Sequence, residues 1–275
     1  MGLTIGIDIG ATSTKIVGWD GTQVLSPCSV QAADPVAALY GALGKYMHNN
    51  GIATGDVRQV ALTGVGAAGL SRPVFDLPTR TVDEFIADGT GARFLSGLTR
   101  AVVVSMGTGT TLVKVDGNDI THLGGISMGG GTLQGMARLL LDTSDVGQIV
   151  EMASHGDISH INLLIKDISA QELDGLPLHA TASLFAKAAR GAVPPADVAK
   201  GLIWMVLETI GSSAVLSQIN GGIADFVLMG KLTCLPECGV IFPMMESLYG
   251  VRFHTPRHAE HGTAVGAALA ASRHD

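Results

Sequence analysis

The chain has 275 residues, 47% of them hydrophobic and only 15% charged, and its net charge is −7. That balance supports a sizeable core and excludes disorder, and an acidic chain without a Lys/Arg cluster lacks the footprint of a nucleic-acid binder. The apolar runs are short and interrupted, so no bilayer span is expected, and the opening MGLTIGIDIG has no basic stretch ahead of its apolar residues, so the expectation is a cytoplasmic protein without a signal peptide.

Leu3, Ile5, Ile7 and Ile9 alternate with Thr4, Gly6 and Asp8 at strand period. After Gly10-Ala11-Thr12-Ser13 the chain returns as a second strand from Lys15 to Trp19. Asp20-Gly21 signals a hairpin turn, and Gln23 to Val30 reads as a third strand. A glycine loop followed by strand and not helix argues against a Rossmann domain. Asp34-Pro35 is an N-cap with proline at the first helical position. Val36, Leu39, Tyr40, Leu43, Tyr46 and Met47 are expected on one helix face, ending at Gly51. Strands are expected over 57–63 and 80–83, then a helix over about 84–95.

A second round begins at Ala101. Strands over 101–105 and 110–115, a turn at Asp116-Gly117-Asn118 and a strand over 119–123 repeat the opening, as IGIDIGATSTKIVGWDG and VVVSMGTGTTLVKVDG. Aligned without a gap, Gly10 meets Gly107, Thr12 meets Gly109 and Lys15 meets Leu112, with Asp20-Gly21 and Asp116-Gly117 out of step by one. This duplication is the strongest architectural signal in the chain. Helices are expected over 132–141, 181–190, 195–219 and 260–272, with a short buried strand over 224–229 that ends at Gly230.

The 37 glycines are neither periodic nor pooled in a linker; they cluster where chemistry is expected. Asp8 to Lys15 forms a tight turn whose successive N–H groups and hydroxyls suit anionic oxygens, with Asp8 able to hold Mg²⁺ and Lys15 adding charge. Ser105 to Thr111 repeats that logic, so two equivalent turns can grip one phosphate chain. Neither turn carries GxGxxG or the Walker pattern. A glycine run from Gly124 to Gly131 leads into a helix N-terminus, a place favourable to anions. Gly230 would leave room for a flat ring, but by itself it reads first as a strand-ending turn. Asp83 and Glu84, read as neighbours at a strand end, point to opposite faces, so one of them can serve as a base; a helix-start role for Glu84 is the other reading. His155-Gly156-Asp157 reads as a helix C-terminal turn, with no GxSxG elbow in the chain to make it part of a triad. Cys28, Cys234 and Cys238 read as reduced thiols. A zinc site from Cys234 and Cys238 with His254, His258 and His261 fits no strong ligand spacing.

The paired turns resemble the phosphate motifs of the acetate and sugar kinase, Hsp70 and actin superfamily. Within it, GIDIGATSTKIV (6–17), LTGVGAAG (62–69), DEFIADGTGA (83–92), SMGTGTTL (105–112), DGNDITHLGGISMGGGTLQG (116–135), EMASHGDISHINL (151–163) and HGTAVGAALA (261–270) are similar to the type II pantothenate kinases over almost the whole length. The resemblance implies an α/β actin-like, ribonuclease-H-type fold of two duplicated lobes with an interlobe cleft. The first lobe would be residues 1–100, with 260–275 packing back on it, and the second 101–259. It implies transfer of the γ-phosphoryl group of Mg-ATP to the terminal hydroxyl of pantothenate, the first step of coenzyme A synthesis, by a homodimer without nucleic-acid or membrane partners. Asp8, Ile9, Gly10, Ala11, Thr12, Ser13, Thr14 and Lys15 match the ATP phosphate motif. Thr108, Gly130, Gly131, Thr132, Leu133, Gln134, Val146, Gly230 and Lys231 are the further nucleotide positions. Glu84 matches the catalytic acid residue and, with Gly107, Thr108, His122 and Gly125, lines the acceptor side. Two positions depart from the family pattern: His122 stands where the family has an arginine, and Gly230-Lys231-Leu232 where it has Gly-Ser-Ser. Rival expectations are a hexosamine kinase, a non-catalytic nucleotide or coenzyme A sensor, and an ATP-dependent activator carrying an iron–sulfur cluster.

Overall fold

The computed structural model describes residues 2–31, 34–70, 72–171 and 176–272, so the last three residues of the segment 260–275 lie outside it. The chain opens with β1 (Leu3–Ile9), β2 (Thr14–Trp19) and β3 (Val24–Val30), an antiparallel meander. Next come α1 (Pro35–Asn50), β4 (Val57–Thr63), β5 (Thr79–Thr81) and α2 (Glu84–Ser96). β4 and β5 add in parallel, giving the sheet order β3-β2-β1-β4-β5.

The second round is β6 (Arg100–Met106), β7 (Thr110–Asp116) and β8 (Asp119–Ile126). A mostly helical stretch follows: α3 (Gly130–Leu141), α4 (Val146–Ser154), α5 (Ile158–Ile161), β9 (Leu163–Leu164), β10 (Thr181–Ser183) and α6 (Pro195–Leu216). β11 (Asp225–Met229), α7 (Cys238–Tyr249), β12 (Arg252–His254) and α8 (Gly262–Ser272) complete the order. The second sheet runs β8-β7-β6-β11-β12, with β6 antiparallel to β7 and parallel to β11. Position for position this is the topology of the first sheet, as the duplicated sequence requires.

By its internal contacts the chain forms two compact units. One comprises Met1–Gly125, Asp225–Thr233 and His254–Asp275; the other comprises Ile126–Ala224 and Cys234–Phe253. In the first unit β1 is buried on both faces, so Thr4, Gly6 and Asp8 are as covered as Ile5, Ile7 and Ile9. One face meets α1, whose Leu39, Leu43 and Tyr46 join the isoleucines in one core cluster. The other meets α8, and a side chain at Gly6 would run into the Ala264 carbonyl. α8 packs on β1, β2 and β4, α2 packs on β6, β7 and β11, and the two helices pack on each other. Their closeness has a sequence cause: a Cβ at Gly266 would collide with the Ala87 carbonyl, and one at Gly91 with that of Gly262.

Several local expectations change. On α1, Val36 and Tyr40 are exposed, and Ala38 and Ala42 take the core positions; Tyr40 instead packs edge-on against Phe75 at 5.0 Å. β5 stops at Thr81, so Asp83 and Glu84 are not strand neighbours. Asp83 is the N-cap of α2, accepting from the N–H groups of Phe85 and Ile86, and Glu84 is the first helical residue. The gap-free alignment of the repeats also fails. Asp8 pairs with Lys15 across β1–β2, and Ser105 with Thr111 across β6–β7, so the second turn is one residue shorter and Lys15 corresponds to Thr111. That deletion accounts for the one-residue offset between the Asp-Gly turns.

In the second unit α6 is the central helix, with α3, α4, α5 and α7 packed around it. The helix expected over 181–190 is β10 followed by a 3₁₀ turn, Ala186–Arg190, because Thr181 pairs with Leu164 and its hydroxyl donates to Glu208 at 3.0 Å. α6 is long and apolar enough by composition to cross a membrane, which corrects the expectation that no run is; more than half of its apolar window is buried against its neighbours.

Candidate active site

In the first unit the groups that bear on phosphate chemistry gather at the carboxyl ends of β1, β4, β6 and β11 and at the starts of β2 and α2. Asp8 is the last residue but one of β1 and is 5% exposed. Its Oδ2 lies 3.2 Å from Lys15 Nζ in an ion pair whose two side chains are both buried. Burial works against the Lys15 charge, but the attraction and hydrogen bond of Asp8, with smaller help from Asp88 and Glu260, hold its pKa above the ordinary value. The β4 end backs Asp8 from behind: Gly64 has φ 88°, and a side chain there would strike Asp8 Oδ1. Thr63, fully buried and paired with Asp8 in the parallel register, has a hydroxyl with no hydrogen-bond partner. Gly10 N–H closes the turn onto the Ser13 carbonyl at 3.1 Å. Ala11 and Thr12 form its exposed tip, and Ser13 and Thr14 are buried.

The second turn has the same construction. Gly107 N–H donates to Gly109 O at 2.8 Å, and Thr108 stands exposed at the tip. Gly230, with φ 88°, comes so close to the Met106 backbone that no side chain would fit. The turn after β11 therefore rests directly on the entrance to the second loop, and Lys231 beside it is exposed.

Glu84 lies in the first turn of α2 and is half-buried. Burial raises its pKa above that of an ordinary glutamate, Asp8 and Asp83 add to the rise, and Lys15 partly offsets it. His122 on β8 stacks on Phe85, ring centroids 3.9 Å apart and nearly parallel, which sets it beside the same helical turn as Glu84. Gly125, farther along β8, faces the Thr110 carbonyl.

Asp88, one helical turn beyond Glu84, is a residue that sequence reasoning passed over. It is fully buried, and its Oδ1 accepts from Thr263 Oγ1 at 2.6 Å and from Ser105 Oγ at 3.2 Å. Burial, with the charges of Glu84 and Asp8, pushes its pKa up to about 7 against the pull of the two hydroxyls. The available signal was its i+4 spacing from Glu84, which puts both carboxyls on one helix face.

The remaining candidate residues belong to the second unit. Gly130, Gly131 and Thr132 form the first turn of α3, whose N–H groups the helix itself does not use. Leu133 is a core side chain, and its N–H donates to Gly129 O at 3.0 Å. Gln134 donates to Ser144 O at 3.0 Å, which ties α3 to the lead-in of α4, where Val146 is the first helical residue. His155-Gly156-Asp157 is the link between α4 and α5: His155 ends one helix, and Asp157 caps the next through Ser159 N–H.

Asp8 offers carboxylate oxygen, the donor type that suits Mg²⁺ and not a softer metal, with its Oδ2 engaged by Lys15. Among the described residues no three His, Cys, Asp or Glu side chains converge as a metal cage. A magnesium ion held by one carboxylate plus phosphate oxygens needs no such cage.

A duplicated five-stranded sheet of this order, with a glycine turn after the first strand of each copy, defines an α/β protein of the actin-like, ribonuclease-H-type fold. Solved structures share it. The activator of 2-hydroxyisocaproyl-CoA dehydratase from Clostridium difficile, with bound ADPNP, has a TM-score of 0.69 at 19% identity, covering 98% of this chain and 94% of that one. A ROK family glucokinase from Streptomyces griseus, in complex with glucose and AMPPNP, has a TM-score of 0.58 at 18% identity, covering 99% and 100%. The Fumble family model matches residues 96–237, just over half of the chain, and the chain belongs to that family, the one of the type II pantothenate kinases. The type II pantothenate kinase of Staphylococcus aureus (strain USA300) is 25% identical over 274 residues, 96% of this chain and 97% of that protein.

Proposed function

We propose that the chain is an ATP-dependent kinase that phosphorylates the terminal hydroxyl of pantothenate or a close analogue, the first step of coenzyme A biosynthesis. The observation that carries the reading is the pair of equivalent turns, at Asp8–Lys15 and Ser105–Thr111, in one compact unit with Glu84 at the start of the helix between them in sequence. Family membership and the likeness to the Staphylococcus aureus type II pantothenate kinase support pantothenate as the acceptor in this reading.

In this reading the turn N–H groups and hydroxyls hold the β- and γ-phosphates, and Lys15 adds positive charge. Asp8 would hold Mg²⁺, which neutralises charge on the phosphate oxygens. Glu84 takes the proton of the acceptor hydroxyl as its oxygen bonds to the γ-phosphorus and the bond from that phosphorus to the β,γ-bridging oxygen breaks, releasing ADP. Its raised pKa makes it a stronger base than an ordinary carboxylate. His122, beside the same turn, faces the acceptor with Gly107, Thr108 and Gly125, while Gly230, Lys231 and the α3 and α4 N-terminal residues Gly130 to Gln134 and Val146 serve the nucleotide. In this reading the protein works in the cytoplasm as a homodimer, with a first ribonuclease-H-type lobe over 1–100, on which 260–275 packs back, and a second over 101–259.

Glu84→Gln is expected to leave ATP binding intact and to lower turnover by roughly 10²-fold or more. Acceptor-dependent ADP release measures the turnover, and a variant with wild-type turnover removes Glu84 as the base. His122 in place of the family arginine favours a second reading, a kinase for a different small alcohol such as a hexosamine. The same assay with a panel of alcohols separates the two: transfer to a sugar and not to pantothenate decides for the second.

A further inference from the structure

The second turn differs from the first in one respect that matters chemically. Where β1 has Asp8 as its last residue but one, the equivalent residue of β6 is Ser105. A carboxylate is nevertheless present: Asp88 reaches the Ser105 hydroxyl from α2. The same oxygen accepts from Thr263, the second residue of α8. Its other oxygen, Oδ2, is buried without a hydrogen-bond partner in the protein. One side chain therefore joins the strand that leads into the second turn, the helix that carries Glu84, and the helix that covers the first sheet. Lys15 and Asp8 on the first sheet and Glu84 on its own helix are the charged groups that act on it; β6 and α8 contribute hydroxyls only.

A buried carboxyl costs stability, and a Leu or Ala at position 88 would fill a helix–sheet interface without that cost. Burial of a polar group with two well-placed donors suits a device that fixes geometry.

We propose that Asp88 is a positioning residue for phosphoryl transfer: it clamps Ser105, and with it the second phosphate turn, to the helix that presents Glu84, so that turn and base hold one spacing. The clamp itself is independent of the acceptor; its role in transfer rests on the kinase reading above.

The test compares the whole chain with Asp88→Ala, Asp88→Asn and Ser105→Ala. In hydrogen–deuterium exchange, the amides of residues 106–110 are expected to exchange about tenfold faster in Asp88→Ala and in Ser105→Ala, the scale of one lost hydrogen bond. Asp88→Asn keeps an acceptor oxygen and restores wild-type protection. In ADP release, Asp88→Ala lowers kcat by about tenfold with KM for ATP within about twofold, and Asp88→Asn recovers most of kcat, since a misplaced turn costs orientation more than ground-state binding. If Asp88→Ala does not fold, Ser105→Ala, which breaks the same bond from its half-buried partner, carries both comparisons. Unchanged exchange over 106–110 overturns the clamp. Altered exchange with unchanged kcat overturns its role in transfer. Failure of wild type to release ADP with any acceptor instead refutes the kinase reading and with it the transfer role, while the exchange measurement still decides the clamp.

Discussion

Replacing Asp88 by asparagine should make the protein progressively more stable relative to wild type as the pH rises from 5 to 8. In the unfolded chain an aspartate titrates near 3.8, whereas burial and the charges of Glu84 and Asp8 place Asp88 at about 7 in the fold. A carboxyl whose folded pKa is raised binds its proton more tightly in the native state, so its favourable contribution is complete below the unfolded pKa and is lost as pH rises through the folded one. Between pH 5 and 7 the unfolded chain has already released this proton and the native state has not. At about 1.4 kcal/mol per pH unit, the loss over those two units is on the order of 2–3 kcal/mol. Asparagine does not titrate. Its unpartnered NH₂ adds a fixed cost, which cancels when one pH is compared with another. Urea denaturation of both proteins at pH 5, 6, 7 and 8 measures the difference. Stability curves that stay parallel across this range would show that Asp88 is already ionised in the fold at pH 5, and the argument from burial would fail.

Gly266→Ala should cost about 1–3 kcal/mol, because the new methyl meets the Ala87 carbonyl and forces α8 away from α2; the shift in urea midpoint measures it. Lys15→Met should leave Asp8 as a buried charge without its partner and destabilise by about 3 kcal/mol. The same variant should also weaken ATP binding, which calorimetry reads directly. His122→Arg keeps a planar group over Phe85 and adds a bidentate fork, so KM for a carboxylate-bearing acceptor should fall by about tenfold; an unchanged KM places residue 122 away from the acceptor.

What the sequence made legible was local. The period-two run at Leu3–Ile9, the Asp34-Pro35 cap, the Gly51 stop and the repeat of a strand–turn–strand unit are all written within a few residues of where they act, and the structure has them in those places. The placing of Glu84 was half legible: the pair Asp83-Glu84 stood out, but its division into a cap and a first helical residue depends on where β5 stops. Asp88 was not legible, because within DEFIADGTGA it looks like one more polar helix residue. Its burial is decided by Thr263 and the glycines of α8, 175 positions later in the chain. The shortened second turn was hidden for a related reason, since only strand pairing distinguishes a deletion from a substitution. The segment 181–190 has helical composition, and Leu164, a distant pairing partner, overrides it.

The covering of the first sheet has a temporal side. Within this chain β1 is synthesised long before α8, which seals one of its faces. Until α8 arrives Ala61 and Val17 lack the alanines, Val265 and Leu269 that cover them, and until β11 arrives, somewhat earlier, β6 lacks its neighbour on that side. Fragments ending before residue 225 would therefore expose both an apolar sheet face and an unpaired strand edge, the two features that drive chains to stick to one another. Two later events lift that hazard: β11 pairs with the β6 edge, and the eleven residues of α8 dock on the first sheet.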